Sequence, residues 1–360
     1  MHMVKIFSTK TISGKPYDAM DTTFFAIFSR FDDNEMLYYA ESPDNFVETG
    51  AMKKIILNNK NKFLRLIEKI VFMKKLKPDY LFGYGSILEL PYVIFKPKTT
   101  KYIINFHSIL VKKGSSDWPV RTPWFLRKFL FEKAEFIVAI SEFAKKTITK
   151  FFPDKEVKMI YSGAELKFFT PEKENKIALR KKFNINFDAP LVAYVGTLQP
   201  RKRPDIFIEV AKRCKEVNFV MVGQEDGVHD YLKEAKNLKN FQYVEVMERN
   251  EVAQLFASAD IFLFPSVQET FGAVVVEAMA SGTPVIVSRS GAFPELVRDN
   301  FDGFLVPVDS NEIDIFVSDI RKILKDENLY NFLSNNAVRD AERFNWQWTS
   351  DNYKKVLLSI

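Results

Sequence analysis

The chain has 360 residues, 47% of them apolar and 27% charged, which is enough for two domains with sizeable cores and gives no compositional sign of disorder. The single cysteine, Cys214, excludes an internal disulfide and a multi-cysteine metal site, and the three histidines lack metal-ligand spacing. The chain begins with a strand-like run without a cleavable signal pattern, and no apolar run approaches the roughly 18 residues of a membrane span. These features predict a cytoplasmic protein.

The formal net charge of +6 is unevenly distributed. Lys and Arg outnumber Asp and Glu in residues 1–170, whereas acidic residues are in slight excess beyond them. A basic N-terminal half predicts an anionic partner. Nucleic acid would fit the charge, but no recognised nucleic-acid-binding module is present, so we predict no nucleic-acid partner.

Strand-like and helix-like segments alternate along almost the whole chain, a pattern typical of parallel sheets with helical crossovers. The predicted strands are Val4–Ser8, Met36–Glu41, Met52–Leu57, Asp79–Gly83, Tyr102–Phe106, Phe136–Ile140, Val157–Tyr161, Leu191–Val195, Asn218–Val222, Gln242–Val246, Ile261–Phe264, Pro284–Val287 and Gly303–Val306. A polar stretch from Leu166 to Lys176 is the predicted linker. We therefore expect two Rossmann-like domains, at 1–170 and 171–340, with a ligand at the carboxyl ends of their strands, followed by a terminal helix within 341–360.

The segment from Pro265 to Ser288 is the most informative part of the chain. Its strand-like start leads to a predicted helix beginning near Phe271, with Glu269 at the helix N-terminus and Glu277 about two turns further on. Unpaired N–H groups at a helix N-terminus suit a phosphate, and carboxylates suit the hydroxyls of sugars or ribose. Together these preferences indicate a nucleotide sugar as the ligand.

A second segment, from Leu191 to Arg213, has a buried strand ending at Gly196 and a helix predicted to start near Pro204. Arg201, Lys202 and Arg203 stand in a row directly before that helix. Cations at this end oppose the helix dipole, so they indicate either a nearby anion or a solvated charge run.

The residue order of these segments resembles the signature of the family-four retaining glycosyltransferases, which have the GT-B fold. The matching residues are Pro265, Ser266, Glu269, Phe271, Gly272, Glu277, Ala278, Gly282, Pro284, Val285, Ile286, Gly291, Pro294 and Glu295. The resemblance implies an α/β architecture of two facing Rossmann-like domains with a cleft between them. It also implies a donor-binding C-terminal domain, an acceptor-binding N-terminal domain, and a last helix that returns to the N-terminal domain.

The resemblance assigns catalytic roles to four residues and donor binding to nine. Lys202 and Arg201 would stabilise the leaving diphosphate, Glu269 would hold sugar hydroxyls, and His107 would contact the donor sugar. The donor-binding residues would be Gly14, Gly196, Thr197, Gly223, Val246, Phe271, Gly272, Ala273 and Glu277, with Glu277 on the ribose diol. Thr197 departs from the family, which usually has Arg directly after the glycine, so either Arg201 compensates or the donor site is altered.

The implied reaction is front-face, retaining transfer of a hexosyl group from a UDP- or GDP-linked sugar. In this mechanism the leaving phosphate takes the acceptor proton, so neither a side-chain nucleophile nor a metal is required. We expect no cofactor beyond the nucleoside diphosphate sugar, which is a co-substrate.

Two basic and aromatic segments of the N-terminal half suggest where the acceptor comes from. Lys53–Lys77 contains one acid, Glu68, and apolar residues at helical spacing, and Asp117–Lys133 mixes Trp and Phe with Arg and Lys. Such helices either pack on the sheet or lie on an anionic membrane. The second reading predicts a peripheral protein with a lipid-linked or glycan acceptor.

Two other functions fit the same fold. A sugar-nucleotide epimerase would use carboxylate and histidine acid–base residues, and the few histidines argue against it. A non-catalytic subunit that binds a nucleotide sugar is the other alternative, indicated by Thr197.

Overall fold

The computed structural model of the protein describes residues 4–12, 26–28, 30–31, 36–40, 52–55, 61–107, 124–171, 176, 180–181, 189–225 and 230–359. The chain divides into unit 1, Met1–Gly163 with Trp346–Ile360, and unit 2, Ala164–Asn345. The boundaries therefore differ by a few residues from those predicted at 170/171 and 340/341. Within unit 2, buried Phe169 contacts Phe256 and buried Phe344 contacts Phe271, so both flanking segments are part of its core.

Unit 1 contains a seven-stranded sheet, ordered β3-β2-β1-β4-β5-β6-β7, in which every pair is parallel. Its strands are β1 Ile6–Ile12, β2 Met36–Ala40, β3 Met52–Ile55, β4 Tyr80–Gly83, β5 Lys101–Phe106, β6 Phe136–Ala139 and β7 Val157–Met159. The first strand, which we predicted to end at Ser8, continues to Ile12. Gly14 lies outside the described residues.

Successive side chains of the strands β4, β5 and β6 enter different cores of unit 1. Ile103 belongs to one buried cluster with Phe82 and Val138, whereas Ile104 belongs to another with Leu81 and Ile137. Both faces of the sheet are therefore covered, which explains why the strands read as continuous apolar runs.

The helices of unit 1 before the linker whose bounds the structure describes are α1 Lys62–Leu76, α2 Leu90–Phe95, α3 Trp124–Lys133 and α4 Glu142–Phe151. Asn61 caps α1 by accepting from the Phe63 and Leu64 N–H groups, and Ser141 caps α4 by accepting from Ala144 N–H. None of the described helices is long and apolar enough to cross a membrane.

Unit 2 contains a six-stranded parallel sheet, ordered β10-β9-β8-β11-β12-β13. Its strands are β8 Leu191–Val195, β9 Asn218–Val222, β10 Phe241–Val244, β11 Ile261–Phe264, β12 Val285–Ser288 and β13 Gly303–Val306. The helices with described bounds in this unit are α5 Pro204–Arg213, α6 Arg249–Ser258, α7 Ala273–Ala280, α8 Phe293–Leu296, α9 Glu312–Lys325 and α10 Glu327–Ala341. The strand order is that of a doubly wound dinucleotide-binding fold, whose order reverses between β8 and β11.

The last helix, α11 Trp346–Leu358, belongs to unit 1. Ser350 Oγ donates to the Ile27 carbonyl at 2.6 Å, and Thr349 Oγ1 donates to the Tyr161 carbonyl at 3.0 Å. Tyr353 is buried against Phe28 and Phe82. The terminal helix therefore returns to the N-terminal half of the chain.

Candidate functional site

The two segments singled out in the sequence lie at the point where the strand order of unit 2 reverses. Parallel sheets bind ligands beyond the carboxyl ends of the two strands that flank such a point. Here those strands are β8 and β11, and the loops that follow them are 196–203 and 265–272. The fold therefore brings the predicted phosphate-binding cations and Glu269 to one edge of one sheet.

Arg201, Lys202 and Glu269 form a charged cluster at this edge. Arg201 Nη1 lies 2.9 Å from Glu269 Oε1 and also donates to the Gln268 carbonyl at 2.9 Å. Lys202 Nζ lies 3.9 Å from the same carboxylate oxygen. Ser266 Oγ also lies within hydrogen-bond distance of this oxygen, at 3.3 Å. Two cations and one acid leave the cluster with an excess of positive charge.

Lys202 is mostly buried, with 14% of its side chain exposed. Burial lowers the pKa of its ammonium group, the carboxylate of Glu269 acts in the opposite direction, and Arg201 lowers it further. Its ammonium group also lies 5.6 Å from the Phe264 ring centroid, at the end of β11. A buried cation of this kind is suited to binding an anion.

The third cation of the row, Arg203, has a different role. It adopts a left-handed backbone conformation, with φ of 52°, between the short 3₁₀ turn Pro200–Lys202 and α5. Its guanidinium forms a bidentate pair with Glu312 of α9. The sequence offered a nearby anion as one explanation for this row of cations. In the structure Glu312 is the anionic partner of Arg203, and Glu269 is the anionic partner of Arg201 and Lys202.

Backbone contacts hold the two loops together. Val267 N–H donates to the Arg201 carbonyl at 2.9 Å, and Ser266 Oγ donates to the same oxygen at 3.1 Å. On the other side, Ala292 N–H donates to the Glu269 carbonyl at 3.0 Å. Glu269 is therefore fixed from both neighbouring segments.

The helix beyond Glu269 begins later than the sequence suggested. Gly272, with φ of 97°, precedes the first residue of α7, Ala273, so the expected start near Phe271 was wrong by two residues. A residue other than glycine at 272 would be strained, and its Cβ would lie 2.8 Å from Phe293. Glu277 consequently lies about one turn, not two, from the helix start. Phe271 is buried, so its side chain is part of the core.

Glu277 lies in a separate ion pair. Arg249, the first residue of α6, places Nη2 at 3.1 Å from Glu277 Oε1. Burial raises the pKa of Glu277 to about 7, opposed by Arg249 and reinforced by the negative charge of Glu165. Sequence reasoning missed Arg249, although a cation at a helix N-terminus is the same signal that indicated Arg201 and Lys202.

The remaining donor-binding candidates of unit 2 lie beside these loops. The backbones of Gly196 and Gly223 approach so closely that a Cβ on Gly223 would lie 2.0 Å from the Gly196 carbonyl oxygen. Thr197 is exposed. Strand β10 ends at Val244, so Val246 follows the strand, where it is 54% exposed.

His107, the candidate from unit 1, directly follows β5. It is partly exposed, and its ring lies 5.9 Å from that of Tyr84. Two residues earlier, Asn105 is fully buried, and neither polar atom of its amide has a hydrogen-bond partner in the described structure. Unit 1 thus has polar groups at the carboxyl end of its sheet, as a ligand site requires.

Across the part of the chain that is described, no cluster of three or more His, Cys, Asp or Glu side chains could hold a metal ion.

Comparison with known proteins finds a family match within unit 2. Residues 175–340 match the family model for glycosyl transferases group 1. The D-inositol 3-phosphate glycosyltransferase of Mycobacteroides abscessus is 31% identical over 204 residues, which is 54% of this chain and 45% of the relative. The chain therefore spans about half the length of that relative.

Solved structures extend the likeness to the whole chain. Sucrose-phosphate synthase of Thermosynechococcus elongatus superposes with a TM-score of 0.77 at 18% identity, covering 100% of both chains. Anabaena HepE in complex with UDP-glucose has a TM-score of 0.78 at 19% identity, again over 100% of both chains. At these identities the likeness establishes the fold, which is GT-B. The chain therefore has a GT-B fold, within which residues 175–340 match the model for glycosyl transferases group 1.

Proposed function

We propose that the protein is a retaining glycosyltransferase that moves a sugar from a nucleoside diphosphate sugar to an acceptor hydroxyl. The observation that carries the proposal is the cluster of Arg201, Lys202 and Glu269 at the reversal point of the unit 2 sheet. Two cations and a carboxylate match the two parts of such a donor, a diphosphate and a polyhydroxylated sugar.

In the free protein the carboxylate of Glu269 is bonded to Arg201 and Lys202. An incoming diphosphate competes for these cations, because its charge exceeds that of one carboxylate. Glu269 then becomes available to accept hydrogen bonds from sugar hydroxyls. The exchange replaces an internal ion pair with contacts to both parts of the donor.

The cations act on the group that leaves. When the bond from the anomeric carbon to the diphosphate oxygen breaks, negative charge grows on that oxygen, where Lys202 and Arg201 stabilise it. The acceptor oxygen bonds to the same face of the sugar, and its proton passes to the leaving phosphate. Charge stabilisation by these two side chains needs neither a metal nor a side-chain nucleophile, so we propose metal-independent transfer.

We further propose UDP as the leaving group, because HepE, which has the same fold, was solved with UDP-glucose. Glu277 would accept from the ribose diol, and the loops at Gly223 and Val246 would seat the base. His107 and Gly14 would contact the sugar and acceptor.

The proposal is tested by donor turnover in the absence of acceptor. We expect slow release of UDP from UDP-glucose or UDP-N-acetylglucosamine, reduced about a hundredfold or more by Lys202→Ala, because one charge contact in the transition state is lost. Lys212→Ala is the matched control, since this lysine lies on the neighbouring helix α5 and pairs only with surface acids among the described residues. Equal turnover by Lys202→Ala and the wild-type protein would contradict the assignment.

We propose that unit 1 docks on an anionic membrane, where it meets a lipid-linked acceptor. The apolar residues of α1 form two rows. Leu66 and Ile70 pack inward, whereas Phe63, Ile67 and Val71 point outward and are 68%, 42% and 46% exposed. The outward row, which we call the α1 apolar row, contributes nothing to the core.

Charge around the α1 apolar row favours an anionic lipid surface as the partner. Lys62, Lys74 and Lys75 are exposed on the same helix, and Glu68 is its one acid. Lys74 also lies over the ring of Phe95, which is 48% exposed at the end of α2. Exposed apolar side chains beside lysines are what an interfacial helix presents to anionic headgroups.

Vesicle sedimentation tests this docking surface. We expect binding to phosphatidylglycerol-containing vesicles to fall roughly tenfold or more in a Phe63→Ser, Ile67→Ser, Val71→Ser variant, because three apolar side chains no longer insert. Phe332→Ser is the control, since Phe332 is equally exposed but lies in unit 2. The proposal would be contradicted if the triple variant bound these vesicles as well as the wild-type protein. Equal binding of the wild-type protein to neutral and anionic vesicles would also contradict it.

A further inference from the structure

Glu277 has one engaged and one open carboxylate oxygen. Its side chain is 16% exposed, and Oε1 accepts from Arg249 Nη2 at 3.1 Å. Within the described residues, Oε2 accepts no hydrogen bond. A carboxylate held by one oxygen presents the other in a fixed direction, where a hydroxyl can donate to it.

Arg249 is itself held by two aromatic rings. Its guanidinium carbon lies 5.6 Å from the Phe168 ring centroid and 5.7 Å from that of Phe169. Phe169 is buried and packs against Phe256 of α6, so this partner is part of the core. Cation–π contacts and the carboxylate together offset the cost of a cation at the first residue of a helix.

The charges around Glu277 come from two segments. Arg249 supplies the cation from α6, and Glu165 supplies a second acid from the segment that enters unit 2. Glu165 is in turn 3.8 Å from Lys167. Because Arg249 forms a direct hydrogen bond to Glu277, it favours the charged form of this carboxylate and so opposes the effect of burial.

We propose that Arg249 is a positioning residue for nucleotide recognition: it holds Glu277 through Oε1 and so leaves Oε2 to accept from the vicinal hydroxyls of a ribonucleotide. This inference rests on the proposed function, because it takes the donor to be a nucleoside diphosphate sugar. It adds Arg249, a residue that neither the sequence signature nor the comparisons assign, to the contact between Glu277 and the ribose diol that is already part of the proposed function.

Calorimetric titration with UDP and 2′-deoxy-UDP tests the ligand side of the proposal. We expect wild-type protein to prefer UDP, and Arg249→Met to weaken UDP binding about tenfold or more while changing 2′-deoxy-UDP binding less. Arg249→Lys should restore part of the loss, since it keeps the positive charge. Arg213→Met is the control, because Arg213 pairs with surface acids on the other side of α5.

The pH dependence separates positioning from simple structural support. Binding through a carboxylate weakens as pH falls through the pKa of Glu277, which is about 7. Removal of Arg249 takes away a cation that lowers this pKa, so the midpoint should move to higher pH in Arg249→Met and stay near its wild-type position in Arg249→Lys. Subtraction of the Glu277→Gln profile removes the titration of the nucleotide itself.

A second readout needs no nucleotide. The pKa of Glu277 is higher in the folded than in the unfolded protein. Ionisation of this side chain therefore lowers the free energy of unfolding as pH rises from the ordinary pKa of a glutamate towards about 7. Glu277→Gln, which cannot ionise at this position, is the reference. In Arg249→Met this decline should continue to higher pH. The inference would be overturned if Arg249→Met showed the same pH-dependent decline in unfolding free energy as the wild-type protein. It would also be overturned if the variant kept both the wild-type UDP affinity and the wild-type pH midpoint of binding. The wild-type protein could fail to bind any nucleotide while Arg249→Met still shifts the decline in unfolding free energy to higher pH. That result would overturn the proposed function and the role of Glu277 in nucleotide binding. It would leave the electrostatic coupling between Arg249 and Glu277 in place.

Discussion

Both acidic side chains of the candidate donor site are bonded to arginine. Glu269 pairs with Arg201, and Glu277 pairs with Arg249. The free protein thus satisfies within itself the groups that a nucleotide sugar would engage. A ligand that offers both a diphosphate and hydroxyls can replace the first pair and use the open oxygen of the second, whereas an isolated phosphate would satisfy only the cations.

Gly291 fixes the position of Glu269, and its replacement should be costly. Its φ is 60°, and a Cβ would lie 2.7 Å from the Glu269 carbonyl oxygen and 2.9 Å from the Glu269 nitrogen. We expect Gly291→Ala to lower the free energy of unfolding by about 2–4 kcal/mol, from left-handed strain and backbone overlap together. Urea denaturation measures the change.

Gly291→Asn separates the two causes. Asparagine tolerates a positive φ better than alanine but carries the same Cβ. It should recover part of the stability that alanine loses, and the remaining loss reports the overlap with Glu269. Wild-type stability in the alanine variant would show that the loop relaxes freely and that Gly291 does not hold Glu269 in place.

For single residues, the sequence indicated which side chains belong to the site better than it indicated the partners of these side chains. The cations before α5 indicated an anion because they oppose the helix dipole, but Glu312 and Glu269 are far away in sequence, so spacing could not identify them. Arg249 was missed for the same reason. Its role depends on Glu277 and on two phenylalanines of the segment that enters unit 2.

At the scale of elements, all thirteen predicted strands are present, and most of their ends either match the prediction or differ from it by one or two residues. Continuous apolar runs identify such strands because both faces of a parallel sheet are buried. Helix ends were less predictable. The helix α7 begins after Gly272 because the backbone there has a positive φ and lies against Phe293, a contact that local sequence does not reveal.

Helix α1 shows a different limit of sequence patterns. Apolar residues at helical spacing predicted either packing on the sheet or an interfacial face, and the helix has one row for each. When apolar residues cover a broad part of a helix surface, the sequence alone does not tell which of them pack inward and which are exposed, because this depends on where the sheet lies. In α3 the same division occurs, with Phe131 buried and Phe125 68% exposed.

At the scale of the whole molecule, the chain leaves unit 1 after Gly163 and returns to it at Trp346. A Cβ on Gly163 would lie 2.4 Å from the Trp346 ring, so glycine at 163 allows the last helix to begin beside the point of departure. The family resemblance implied this return, whereas composition and periodicity gave no sign of it. The order of the strands likewise depends on long-range pairing that local patterns do not encode.

The central claim is that unit 2 binds the nucleotide part of a sugar donor through Glu277 and the cations after β8. Thermal unfolding with UDP, GDP, ADP and dTDP, on wild-type protein and Glu277→Ala, tests it most directly. At about a hundred times its dissociation constant a ligand adds about 2.7 kcal/mol to the free energy of unfolding, which gives a visible shift in Tm. We predict that UDP stabilises the wild-type protein and that Glu277→Ala loses most of this shift. No shift with any of the four nucleotides, or an equal shift in both proteins, would contradict the account.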